Sequence, residues 1–250
     1  IFVLKISDNV LVSEGEPQVL FMGNHHAREL MSVDIPLKLA EYLLANYGVL
    51  PEVTDMVNHR EIFISPMINP DGHVYVQNNH SGDWWTWWRK NRRENGDGTF
   101  GVDLNRNYGY MWGYDDTGSS PATESVVYRG PAPFSEPETQ AVRDFCDRRS
   151  FSVALSYHSY SELIIYPWGY DAIYSEDHEF FAVFADSLSR GNGYAAGCTA
   201  TNILYPVNGG SDDWMYGDSS LRNEIFSYTI ELNSYEEGGF GAYDAAEAPI

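Results

Sequence analysis

An α/β fold, built as a three-layer α/β/α sandwich around a mixed and largely parallel sheet, is what the 250-residue sequence predicts. Short apolar runs closed by turn formers alternate with stretches of helical period from one end to the other. The length suits one core rather than two, and 43% hydrophobic residues supply enough apolar surface to offset the entropy of ordering the chain. No repeat, linker or low-complexity tract divides the sequence, so residues 1–250 are expected to form a single domain.

Residues 1–6 and 18–22 read as buried strands, because each is apolar and flanked by charges and turn formers. From Leu30 the apolar positions Leu30, Val33, Leu37, Ala40, Leu44 and Tyr47 step by three and four, which predicts an amphipathic helix stopped by Gly48. Pro36 is tolerated in a first turn, so the helix proper is expected to start near Ser32 or Asp34. Residues 61–66 form the next strand, and Asn69-Pro70-Asp71-Gly72 after it reads as a reversal leading into a loop. Gly82 to Gly130 shows little periodicity and reads as long surface loops of the kind that carry function.

Ser135 and Glu138 have the spacing of a capping box, with Pro137 between them, so residues 136–149 are expected to be helical. Residues 151–157 then form a central strand, Asp177 to Arg190 a helix ended by Gly191 and Gly193, and Ile225 to Leu232 a last buried strand.

Lys and Arg number 15 against 36 Asp and Glu, a formal charge of −21, which repels nucleic acid and anionic membranes and favours cationic partners. No run is long and apolar enough to span a bilayer, and Ile1 to Ser7 lack a basic leader. Cys146 and Cys198 lack the close spacing of a zinc knuckle or a redox pair, and are left either to pair or to stay buried and free.

His26 and Glu29 stand three residues apart just after a strand, and His158 stands at the end of the strand that begins at Phe151. Active sites of α/β folds gather at such carboxyl ends. Two His and one Glu would hold zinc and leave its fourth position to water, the arrangement of a catalytic site.

Six motifs then follow in order: H-A-R-E, N-P-D-G, W-R-K-N-R, G-V-D-L-N-R-N, H-S-Y-S-E and T-I-E-L. Together they resemble the pancreatic-type zinc carboxypeptidases from end to end. The resemblance implies a secreted, monomeric enzyme acting on the C-termini of peptides and proteins. It implies one Zn²⁺ ion held by His26, Glu29 and His158, with Asp103 hydrogen-bonded to a ligand imidazole. Glu231 matches the general base that takes a proton from the zinc-bound water. Arg92 is expected at the developing oxyanion, and Asn105 with Arg106 at the terminal carboxylate of the substrate. Arg28, Arg89 and Tyr160 match more distant substrate contacts, and Tyr205 a mobile residue that closes over the bound substrate.

Asp212 falls where carboxypeptidase B-like enzymes have Asp and carboxypeptidase A-like ones an aliphatic residue, which implies a preference for C-terminal Lys or Arg. Trp84, Trp85, Trp87 and Trp88 are assigned no chemistry, and His25, His59, His73, His80 and His178 match no ligand position. The family's catalytic domain extends beyond both ends of this sequence, so truncation at both ends is expected. A deacylase or cell-wall peptide hydrolase on the same scaffold, and a non-catalytic peptide-binding relative, are the alternatives.

Overall fold

A computed structural model describes residues 1–79, 87–234 and 239–240. His80, Trp84 and Trp85 lie outside the described residues.

Among the described residues, seven strands form one mixed sheet in the order β1-β3-β2-β4-β7-β5-β6. They are β1 (Leu4–Ile6), β2 (Gln18–Gly23), β3 (Glu61–Ser65), β4 (Phe151–Ser159), β5 (Leu163–Ile165), β6 (Ala195–Gly197) and β7 (Phe226–Leu232). The four central strands β3, β2, β4 and β7 run parallel, while β1 and β5 pair antiparallel with β3 and β7. From β2 the chain crosses to β3 on one side and later returns to β4 on the other, which opens a crevice at the carboxyl ends of β2 and β4.

Alternation along the strands sorts the side chains onto two faces. One face packs Leu155, Tyr228, Ile230, Ile62 and Ile64 against α1 (Met31–Asn46), α2 (Pro51–Asn58) and α5 (His178–Ser189). The other packs Leu20, Met22, Phe63 and Ala154 against α4 (Pro137–Cys146) and α6 (Ser211–Gly217). Helices therefore cover both faces, as the sequence predicts. Cys146 belongs to one cluster and Cys198 to the other, and both are free thiols.

Three expectations need correction. Asn69-Pro70-Asp71-Gly72 starts helix α3 (Pro70–Asn78) rather than a loop: the Asn69 side chain accepts from the Gly72 N–H at 3.0 Å, with Pro70 in the first turn. An N-cap and a reversal draw on the same residues, so local chemistry could not separate them. The capping box at Ser135 does not form, since Glu136 takes the cap position of α4 and Ser135 Oγ donates to Glu136 Oε1 instead. Helix α4 also stops at Cys146, short of residue 149.

Helix α1 begins at Met31, so Pro36 lies in its second turn. Gly23 is the contact that brings α1 to the end of β2: a Cβ there would come within 1.9 Å of the Ser32 carbonyl oxygen. Only glycine permits that approach.

Candidate metal centre and active site

The chain between β2 and α1 is held by short polar contacts. Asn24, in the left-handed region at φ 57°, donates its backbone N–H to Ser32 Oγ and its side-chain amide to the His26 carbonyl. The Ala27 N–H donates to the Arg89 carbonyl at 2.9 Å, which ties this turn to the long loop. His26 and Glu29 are thereby presented over the end of the sheet. His158 comes from the last turn of the pleat in β4, level with Glu231 on β7 and on the same face.

His26, Glu29 and His158 are the one buried set of three metal-ligating side chains among the described residues, their ligand atoms all within 4.8 Å of one another. His26 Nδ1 lies 2.7 Å from Glu29 Oε1, His158 Nδ1 lies 3.0 Å from Glu29 Oε2, and the two Nδ1 atoms lie 3.1 Å apart. The opposite nitrogen of His26 faces Asp103 Oδ1 at 3.2 Å, so it carries the proton and Nδ1 is left with its lone pair. Two ring nitrogens and a carboxylate then converge on one point, a donor set that fits a cation. Zn–N bonds of about 2.0–2.1 Å set tetrahedral ligand separations of about 3.3 Å, close to the spacings here.

The charges around this point are arranged to keep the donors bare. Burial would raise the Glu29 carboxyl, but His26 and His158 beside it hold it well below the usual range. Burial lowers His158, against the pull of Glu29. Asp103 is opposed by burial too, yet Arg89, His26 and Arg106 hold it well down as a carboxylate. It accepts from Arg89 Nε at 2.8 Å and from the Asn105 N–H at 3.1 Å, so it both caps the short 3-10 turn Leu104–Arg106 and backs His26.

A cavity of about 480 Å³, counted out to its open mouth, runs from His26 and Glu231 to Asp212 and is also lined by Arg89, Asn105, Arg106 and Tyr205. Although part of Glu231 faces the cavity, burial and the neighbouring Glu29 charge push its carboxyl up to about 8, against the pull of Arg89, Arg106 and Arg28. Arg106 is buried and donates to the carbonyls of Gly118 and Asn105 at 2.9 and 2.7 Å, and among the described residues it forms no ion pair. Asn105 Oδ1 accepts from the Ser211 N–H at 2.9 Å, which leaves its amide N–H groups for the cavity.

At the far end Asp212 Oδ2 accepts from Thr229 at 3.2 Å, while Ile165, Leu204 and Val207 make apolar walls. Asp213 is turned away and accepts from the Gly169 and Tyr170 N–H groups at 2.8 and 2.9 Å. Burial and the charge of Asp212 raise its carboxyl well above the usual range, against the pull of those two N–H groups.

Of the arginines and tyrosines expected at the substrate, Arg92, Arg28 and Tyr160 do not line this cavity, whereas Arg89, Arg106 and Tyr205 do. Arg92 does not line it: its guanidinium stacks on Tyr75, Trp88 and Phe100 at 3.7, 4.5 and 4.8 Å from the ring centroids. Arg89, three residues earlier, reaches the cavity instead and lies 3.9 Å from Glu29 Oε1. Arg28 and Tyr160 meet on Phe240, the guanidinium 4.4 Å and the phenol ring 4.8 Å from its centroid. Nothing in the motifs pointed to Phe240, whose carbonyl accepts from the Leu30 N–H at 2.8 Å.

A three-layer sheet with two imidazoles and a carboxylate converging at its carboxyl edge, beside a further carboxylate and buried arginines, defines a metal-dependent hydrolase. The sequence matches the family described as zinc carboxypeptidase over residues 1–244. It is 34% identical to "Carboxypeptidase B" of Astacus astacus over 235 residues, covering 90% of this chain and 73% of that one. It is 33% identical to "Carboxypeptidase A2" of Rattus norvegicus over 233 residues, 90% of this chain but 53% of that one. The crystal structure of thrombin activatable fibrinolysis inhibitor superposes with a TM-score of 0.82 at 31% identity, over 95% of this chain and 59% of that one. The chain belongs to the zinc carboxypeptidase family, and so is a metallocarboxypeptidase with a single catalytic zinc ion.

Proposed function

We propose that the chain removes single residues from the C-terminal ends of peptides, with a preference for C-terminal Lys or Arg. The observation that carries the exopeptidase reading is Arg106, a buried guanidinium that faces the cavity and, among the described residues, donates to carbonyls alone. A buried cation of this kind gains most from an anion that arrives with the substrate, and a peptide's terminal carboxylate matches its fork.

His26, Glu29 and His158 would hold the zinc, which when bound activates a water and polarises the scissile carbonyl. Glu231, at the cavity beside the donor set, takes the proton of the attacking water and delivers it to the leaving amine. Arg89 is our choice for the developing oxyanion in place of Arg92, because it lines the cavity beside Glu29. Asn105 and Arg106 fix the carboxylate, and Tyr205, 59% exposed at the cavity mouth, closes over the bound residue. Arg28 and Tyr160, joined on Phe240, would contact the peptide further from the scissile bond.

Asp212 supports the basic preference. Apolar walls suit the methylene stem of Lys or Arg, and the carboxylate at their end would be left desolvated and unpaired by an apolar side chain. The relatives include both A and B types, so specificity rests on this pocket. The formal net charge of −21 would draw such substrates in and turn away nucleic acid. No helix among the described residues is long and apolar enough to cross a membrane, and the reading as a secreted monomer rests on the family resemblance.

The test is hydrolysis of peptides ending in Lys, Arg or Phe, each with a free or amidated C-terminus, with and without a chelator. Free Lys and Arg ends should be cut fastest and chelation should stop the reaction. Amidated peptides cut as fast as free ones would rule out the exopeptidase reading and favour an amidase on this scaffold.

A further inference from the structure

Behind the donor set lies a line of buried polar groups that the proposed reaction does not use. His158 Nε2, the nitrogen pointing away from Glu29, lies 3.1 Å from Ser156 Oγ. Ser156 Oγ lies 3.2 Å from His25 Nδ1, and His25 Nε2 lies 2.8 Å from the Tyr108 hydroxyl. Ser156, His25 and Tyr108 are all buried, the last two with no measurable exposure. The line is rigid at each joint. Ser156 and His158 share one face of β4 by the period of two, and the His25 and His158 rings stack at 5.4 Å and 13°. The Asn69 amide holds the His25 carbonyl at 3.1 Å, and Tyr108 stacks on Trp214 at 5.3 Å.

Neutral imidazole donates from one nitrogen and accepts at the other, and among the described residues Ser156 Oγ bonds to these two rings alone, so a line that also uses the Ser156 hydrogen runs in one of two directions. In one, His158 Nε2–H donates to Ser156, the Ser156 hydroxyl to His25 Nδ1, and His25 Nε2–H to Tyr108; His158 Nδ1 is then bare. In the other, Tyr108 donates to His25 Nε2, His25 Nδ1–H to Ser156, and Ser156 to His158 Nε2; the His158 proton must then sit on Nδ1, where a cation would bind. We propose that Ser156, His25 and Tyr108 are positioning residues whose hydrogen-bond line, running outward from His158, fixes the tautomer of that ligand when zinc is bound. The proposal rests on the reading of His158 as a zinc ligand. None of the four groups changes charge, and the proton count is the same in both directions.

The test uses the chain labelled with ¹⁵N-histidine, whose ring-nitrogen shifts distinguish protonated from bare nitrogen. In the zinc-loaded protein His25 should carry its proton on Nε2 and His158 on Nε2. A His25 proton on Nδ1 in the loaded protein overturns the proposal. Zinc affinity, measured by competition with a chelator, should fall roughly 10- to 100-fold in Ser156→Ala and in His25→Phe, which keeps the stacked ring. Affinity within twofold of the unaltered chain in both variants overturns it as well. Should the unaltered chain bind no zinc at all, the ligand assignment itself fails, an outcome separate from a loaded protein with the wrong His25 tautomer.

Discussion

His158 and Glu231 occupy one rung of the sheet, paired in register on the adjacent parallel strands β4 and β7. The rung puts a proposed zinc ligand and the proposed base side by side on the face that α6 covers, with no loop to position either. Glu231→Gln is therefore expected to lower kcat by about 10²- to 10⁴-fold while zinc content and peptide binding persist. Because the Glu29 charge helps hold the Glu231 carboxyl up to about 8, seating a cation should lower it and expel a proton at neutral pH. Calorimetry of zinc uptake in buffers of different ionisation enthalpy should show fewer protons released by the Gln variant. Equal release, or near-normal turnover, removes Glu231 from this role.

Removal of zinc tests the donor set. Chelation should abolish turnover and lower the melting temperature, since a ligand at 1,000 times its Kd stabilises the folded state by about 4 kcal/mol. Glu29→Gln should show the same low melting temperature with or without zinc. A variant that still gains stability from zinc would show that another group holds the ion.

The two arginines separate cleanly. Arg89→Ala should lower kcat about 10²- to 10³-fold, the loss expected for one oxyanion donor. Arg92→Ala should leave kcat within a few-fold and instead lose stability of about 0.5–2 kcal/mol, as its stack on Tyr75, Trp88 and Phe100 goes. The reverse pattern in steady-state kinetics and urea melts would restore Arg92 to the reaction.

Asp212→Ile should exchange specificity. Values of kcat/KM for Lys- and Arg-ended peptides are expected to drop roughly 10²- to 10⁴-fold, matching the ~3–5 kcal/mol typical of a broken buried pair, while Phe- or Leu-ended peptides gain. Retained preference for basic ends would point to Asp213.

A prediction on pH comes from the far edge of the sheet. Glu61 on β3 accepts from Lys5 Nζ of β1 at 2.8 Å and from the Gln18 amide of β2. Burial raises its carboxyl, but these partners win and hold it below the ordinary 4.5. A depressed folded pKa contributes stability that is present above the unfolded value and lost as pH falls through the folded one. Glu61→Gln should thus cost about 1.5–3 kcal/mol at pH 7, with the gap from the parent closing below about pH 4.5. Urea melts across this range decide it; a gap that does not change with pH would exclude ionisation as its source.

Much of this was legible in the sequence. Strands β2, β3, β4 and β7 announce themselves as apolar runs, and His26, Glu29, His158 and Glu231 lie at or near their carboxyl ends, where the sheet order brings them together. What escaped was set by tertiary context. Strands β5 and β6 are three residues each, too short to carry a period, and α2 and α6 are helices of eight and seven residues. Arg89 and Arg92 stand in one irregular stretch with no repeat to say which faces inward. His25 matched no ligand position, and only the pairing of β2 with β4 brings it beneath His158 by way of Ser156.

The two cysteines sit in separate hydrophobic clusters on opposite faces of the sheet, each as a free thiol. No covalent staple therefore links distant parts of the chain, and burial pushes the Cys146 thiol up to about 12, far from the reactive thiolate. A reductant that does not bind zinc should leave the folded chain untouched, so recombinant production can proceed under reducing conditions without oxidative refolding.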